Sequence, residues 1–365
     1  MTINEITKIK TVFVILIILL CVFINIACSR QPRLKYEIVD LGTLGGTDSS
    51  PRMINDAGLV IGESEIAVGN VNDEHSFLWD SNSGMIDLTT LIVGKENYLL
   101  ANSINNSGQV VGAIKYSDSD NYNAFLWDRK NGLTILETPD SNSSWAKSIN
   151  DLGQVAGILG TTVNYPHVFI WDSNNGMTDL GTHGEVVKIE EISNKGQIVA
   201  NVYPPGHAFL WNKTGGMVDL GTLGGEASSA YAINNAGQVV GYSHKPRSLR
   251  RACLWNTKNN QIIDLGVPWG LGMECMALGI NDSGQVVGWY GRKHQQLFGP
   301  GRAFFWEKKC GVIPLSKLLP DNSGWKFLIG ADDINNRGQI VGCGETNKGE
   351  RHAFLMTPVS EAPRK

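Results

Sequence analysis

The phrase Ile233-Asn-Asn-Ala-Gly-Gln-Val-Val-Gly241 occurs seven times along 365 residues, and this repetition limits the possible folds more than any other feature. It recurs at Ile54–Gly62, Ile104–Gly112, Ile149–Gly157, Ile192–Ala200, Ile280–Gly288 and Ile334–Gly342, with starts 50, 45, 43, 41, 47 and 54 residues apart. That period matches a four-stranded propeller blade, not a helical or leucine-rich unit. The Asn side chain can bond its own backbone, and the glycine takes a positive φ that closes a tight turn. Gln-Val-Val-Gly then reads as a strand.

Two further phrases alternate with the first. His-Ala-Phe-Leu-Trp, as in His207–Trp211, is an apolar run too short for a helix. Gly-Met-x-Asp-Leu, as in Gly216–Leu220, is a third strand, reached through a polar turn such as Asp172-Ser-Asn-Asn-Gly176. The stretch before each Ile-Asn, such as Ser228–Ile233, supplies the fourth strand. Nothing shows a sustained 3.6-residue period, so no long helix is expected after Cys28.

The ends are complementary. Tyr36-Glu-Ile-Val-Asp-Leu-Gly42 is an Asp-Leu strand with no Phe-Leu-Trp strand before it, and His352-Ala-Phe-Leu-Met356 is the converse. The expected fold is therefore an all-β, seven-bladed β-propeller of four-stranded blades over 36–358. Its ring would be closed by strand 36–42 pairing with the C-terminal hairpin, which also protects sheet edges.

Asp219-Leu-Gly-Thr-Leu-Gly-Gly225, Ala232–Ser243 and His207-Ala-Phe-Leu-Trp211 resemble the bacterial extracellular HAF-repeat family, over roughly residues 36–358. The resemblance implies a secreted or surface protein of repeated β units. It brings no established activity and no catalytic residues.

Residues 1–27 read as an export signal: Lys8 and Lys10 precede an apolar run from Val12 to Ile24, too short for a membrane span of about 20 residues. The segment resembles a lipoprotein signal with Cys28 as the lipidated first residue, although Asn25 stands where that pattern has an aliphatic residue. A cleaved secretory peptide and a retained anchor are the alternatives, and all three export the domain. Residues 28–35 then form a linker and 359–365 a tail. A net charge of -4 with no basic stripe argues against a nucleic-acid partner. Cys253, Cys275, Cys310 and Cys343 match no zinc or redox spacing, and are either one or two disulfides or buried thiols.

Candidate sites divide into repeated and unrepeated residues. His75, His167, His207 and His352, with Asp40, Asp87, Asp179, Asp219 and Asp264, recur once per repeat and are expected to be structural hydrogen-bonders. The repeated tryptophans, such as Trp79 and Trp127, are expected to pack between blades. Tyr98, Trp145, Trp269 and Trp325 fall in the variable connections and are the candidate ligand contacts. Glu190, Glu191, Glu274, Asp332 and Asp333 are unrepeated acids near first strands. Strand alternation predicts that only one of each adjacent acid pair faces the channel. No nucleophile elbow, zinc helix motif or P-loop is present, so no metal, cofactor or catalytic set is assigned.

The expected function is an exported binding module for a protein or polysaccharide, tethered by a lipid on Cys28. The alternatives are a polysaccharide hydrolase or lyase using channel carboxylates, and a purely structural envelope protein.

Overall fold

The computed structural model describes residues 35–67, 74–92, 97–138, 143–160, 166–181, 186–204, 206–246, 249–268, 272–292 and 301–359. The signal segment 1–27, Cys28, Trp269 and nearly all of the linker and tail lie outside them. No helix among the described residues is long and apolar enough to cross a membrane.

The fold is all-β and propeller-like. Five four-stranded antiparallel sheets and one eight-stranded sheet follow in chain order. Within a repeat the strands pair sequentially, as in Tyr98–Ile104, Val110–Lys115, Asn123–Asp128 and Gly132–Ile135. The eight-stranded sheet is two such units, one at each end of the chain, joined by a single parallel bridge between Asp48 and Arg351. Its C-terminal unit takes its fourth strand from the N-terminus: Lys35–Asp40 pairs antiparallel with Arg351–Val359, with Asp40 opposite Phe354. The helices among the described residues are one five-residue turn, Leu88–Ile92, and a short 3-10 segment, Leu315–Lys317.

Each repeated phrase has a packing reason. All seven turn glycines, from Gly58 (φ 86°) to Gly338 (φ 75°), sit in the left-handed region that the Ile-Asn-x-x-Gly turn requires. The glycine that ends Gln-Val-Val-Gly lets the Phe of the next strand lie flat on the sheet. A Cβ on Gly112 would collide with the Leu100 carbonyl oxygen and with the Phe125 ring. Phe77, Phe125, Phe169, Phe304 and Phe354 are fully buried there. In the fourth repeat Ala200 takes the glycine position, and its cross-strand partner Phe209 is only half-buried.

Apolar cores lie between consecutive sheets. Leu78 and Ile61 of one sheet pack with Phe125 and Trp127 of the next. The same arrangement joins the chain's ends, where Val341, Ala353 and Leu355 pack with Ile54, Val60, Phe77 and Trp79. Cys253, Cys275 and Cys343 are buried free thiols and Cys310 is half-buried.

Candidate functional site

The repeated His and Asp residues meet each other. His75–Asp87, His167–Asp179 and His207–Asp219 bond through Nδ1 at 2.9, 2.7 and 2.8 Å, tying the third strand of a sheet to the fourth. Arg251 replaces the histidine on Asp264 at 3.3 Å. His352 makes the same bond at 2.9 Å to Asp40, 312 residues away, so the N-terminal strand occupies the ordinary fourth position. Among the described residues, no group of three His, Cys, Asp or Glu is arranged to hold a metal.

Residues of the first strands and turns of all seven repeats line one shared cavity. The Ile-Asn turns enclose about 130 Å³. There Asn105 Oδ1 accepts the Ser107 and Gln109 amides, as the turn chemistry requires. Its Nδ2 donates to the Asn150 carbonyl of the next sheet at 3.1 Å. The same step runs from Asn55 to Asn105, Asn150 to Ser193, Asn234 to Asn281, Asn281 to Asn335 and Asn335 to Asn55. Ser193 has no amide to give, and the Lys195 ammonium spans that step by donating to the Asn235 carbonyl at 2.8 Å. Outside this set, Asp56, Asp151 and Asp282 accept backbone and side-chain N–H groups from Asn106, Asn194, Asn235 and Asn336.

Directly beside the turns, two residues back along each first strand, the lining is irregular in composition and regular in backbone, and Met53, Glu191 and Asp333 border both cavities. Each first strand carries a β-bulge, with register shifts at Pro51/Met53, Ala101/Ser103, Ala146/Ser148, Ile189/Glu191, Ala230/Ala232, Ala277/Gly279 and Ala331/Asp333. A bulge leaves one residue unpaired and re-aims its side chain. The seven bulged residues are Arg52, Asn102, Lys147, Glu190, Tyr231, Leu278 and Asp332, and all seven line a cavity of about 210 Å³. Lys188, Glu191 and Asp333 line it too. The expectation that only one acid of each adjacent pair faces the channel is therefore corrected: both Glu190 and Glu191, and both Asp332 and Asp333, reach this cavity, because the bulge breaks the in-out alternation.

Enclosure dominates the electrostatics. Burial, with Asp333 and Asp282 nearby, pushes the Glu191 carboxyl up to about 8, against the pull of the Ile233 amide that Oε2 accepts at 2.6 Å. Burial pushes Asp333 up to about 6, although Oδ2 accepts the Ile54 amide at 3.0 Å. Burial likewise raises Asp332 to about 7, and its Oδ2 finds no hydrogen-bond partner among the described residues. The Lys147 ammonium is pulled down to about 8 by burial and then by the like charges of Arg52 and Lys188. Glu190 is raised by burial even though Lys188 Nζ lies 2.7 Å and Asn201 Nδ2 3.0 Å from its Oε1. Perturbed groups gathered in one cavity are a recognised mark of a functional site.

The four aromatic candidates part company. Trp145 is the second residue of the strand Ser144–Ile149, stacks on Tyr122 at 5.0 Å and carries the Lys147 ammonium 4.0 Å from its centroid. Tyr98, 43% exposed, meets the edge of Tyr122 at 6.0 Å. These two thus share one cluster, whose indole faces are already occupied. Trp325 packs into an apolar core with its edge on Phe354 at 5.7 Å. Trp269 lies outside the described residues. Lys147, Arg52 and Tyr231 were not legible as site residues. The available signal was the second residue before each Ile-Asn, where seven repeats place seven different residues.

No family model matches this sequence, and comparison with curated proteins finds no match. Solved structures do match. Oligogalacturonate lyase from Vibrio parahaemolyticus aligns at TM-score 0.58 and 11% identity, over 89% of this chain and 97% of that one. Virginiamycin B lyase from Staphylococcus aureus aligns at 0.56 and 8%, over 89% and 100%. The β-propeller domain of the trilobed protease from Pyrococcus furiosus aligns at 0.54 and 12%, over 91% and 100%. At these identities the likeness shows the β-propeller fold alone.

Proposed function

We propose that this chain is an exported, seven-bladed β-propeller, closed by its N-terminal strand, that binds a protein or polysaccharide ligand at the channel mouth formed by the bulged residues. The observation that carries the reading is the contrast within one strand. Seven repeats keep the same bulge, and at that bulge they place Arg, Asn, Lys, Glu, Tyr, Leu and Asp. A structural ring repeats its chemistry, as the Ile-Asn turns do. Half-burying four ionisable side chains in one cavity costs stability, which a ligand site justifies and a scaffold does not.

Closure is supported by the Asn335–Asn55 and His352–Asp40 bonds and by the shared core of the end sheets. Export and a lipid on Cys28 rest on the signal-like segment, and the surface setting agrees with the HAF-repeat resemblance. A glycan and peptide array probed with the full chain tests the binding reading. Binding lost in Lys147→Met and Tyr231→Phe with thermal stability kept supports it, and binding unaffected by both rejects this mouth as the site. Incorporation of labelled fatty acid, lost in Cys28→Ser, tests the anchor.

A hydrolase or lyase reading is favoured by one feature. Lys147 at about 8 and Asp332 at about 7 line the same cavity, so an acid and a base are both available near neutrality. It predicts slow release of products from an array-positive polysaccharide, abolished by Asp332→Asn.

A further inference from the structure

We infer that the mouth takes the carboxylate of a sugar acid, with the Lys147 ammonium as its counter-ion and Arg52 beside it. This rests on the bulged mouth being a ligand site, and adds the ligand's chemical class.

The cations of the cavity are Arg52, Lys147 and Lys188. Lys188 is engaged by Glu190 at 2.7 Å, and Arg52 makes a single long contact of 3.4 Å to Glu63. Lys147 has no carboxylate within ion-pair distance among the described residues, and rests on the Trp145 ring instead. Holding that amine in place by a cation–π contact, next to two like charges, leaves a half-buried cation short of an anion. Asn102, one sheet away from each, stands between Arg52 and Lys147 in ring order and donates Nδ2 to the Ala146 carbonyl.

The rest of the wall suits hydroxyls. Tyr231, Glu190 and Asp332 line it; burial favours the neutral, proton-bearing form of Tyr231 and Asp332, while Glu190 is engaged by Lys188 and Asn201. A neutral carboxyl and a phenol both donate and accept, as the hydroxyls of a sugar ring require. The same acids oppose a multiply charged anion, so one negative charge per ligand fits best. The cavity of about 210 Å³ has room for one monosaccharide, as a free unit or the end of a chain.

Titration calorimetry of the full chain in detergent tests this, with glucuronate and galacturonate against glucose and galactose. At pH 6.5 the acids should bind at least about tenfold more tightly than their neutral counterparts, as for a charge-assisted hydrogen bond. Lys147→Met should abolish that preference while neutral-sugar affinity stays, and Lys147→Arg should keep it. Around Lys147 the titrating groups are Glu190, Glu191, Tyr231, Asp332 and Asp333, with Arg52 and Lys188 charged, so raising the pH through 8 adds negative charge, removes the ammonium and weakens acid binding. Equal affinity for acid and neutral sugar, or a preference unchanged in Lys147→Met, overturns the sugar-acid assignment and leaves the mouth as a ligand site. Where Lys147→Met does not fold, Arg52→Gln gives the same reading, with the preference expected to fall several-fold and an unchanged preference overturning the assignment. Failure to bind any of the four sugars also overturns it, and the array of peptides and larger glycans then decides separately whether this mouth binds anything.

Discussion

Two adjacent levels of the lining, the Ile-Asn turns and the bulges beside them, are built from the same seven strands and obey opposite rules. At the turns, the side chains of Asn55, Asn105, Asn150, Asn234, Asn281 and Asn335 each bond their own turn and then the next sheet. Six of the seven repeats share that chemistry, and in the seventh Lys195 bridges where Ser193 has no side-chain amide. At the bulges the backbone is as regular, yet the side chains differ at every sheet and several are held in costly protonation states. The comparison teaches that a repeat protein can be scanned for function by asking where the backbone repeats and the side chain does not.

Breaking the turns should have the largest effect. Asn335→Ala removes the bond to the Asn55 carbonyl and strands two turn amides at a buried position, which should cost about 3 kcal/mol or more. Guanidinium unfolding measures this, and a loss below about 1 kcal/mol would show that the inter-sheet bonds contribute little.

The bulge level should respond the other way. Glu191 has its folded pKa raised above the ordinary 4.5 to about 8. Its contribution is therefore fully present below pH 4.5 and lost as pH rises through about 8. Glu191→Gln keeps an oxygen for the Ile233 amide and removes the charge. Its melting temperature should exceed that of the native chain by about 5 °C at pH 9 and match it near pH 5. A native-like pH profile in the variant would mean that Glu191 is not the titrating group.

Two smaller effects sharpen the contrast. Ser148 Oγ accepts the Ile192 amide, the task that Glu191 performs for Ile233. Ser148→Ala should cost about 1–2 kcal/mol by chemical denaturation, and Glu191→Ser should fold normally if Ser and Glu are equivalent as latches. His207→Ala should cost less than about 1 kcal/mol, because the His207–Asp219 pair is partly open to solvent. A much larger loss in the melting curve would assign the outer strands a greater share of stability than the channel.

Much of the fold was legible because its signals are local. The turn glycines and the hairpin phrases act within a few residues or within one repeat, and the regular repeat exposes the strand that each end lacks, although that pairing spans 312 residues. The Asn of Ile-Asn was legible only in half of its role, since its bonds to Gln109 and Ser107 are local whereas its bond to Asn150 crosses sheets. The candidate site was less legible. Trp145 carries the cavity's Lys147 and Tyr98 joins it through Tyr122, whereas Trp325 is committed to packing on Phe354. Strand alternation misplaced one acid of each pair, because a bulge changes the period without leaving a mark such as Gly or Pro at Glu190 or Asp332.

By itself the sequence determined the all-β class and the four-strand repeat, since turn chemistry and strand length are encoded next to the residues they shape, and the matching of Lys35–Asp40 to the last hairpin, since a regular repeat shows which strand each end lacks. Only the tertiary structure decided which side chains converge on the channel. That depends on seven bulges that line one cavity, which exists only once sheets far apart in the chain pack against each other.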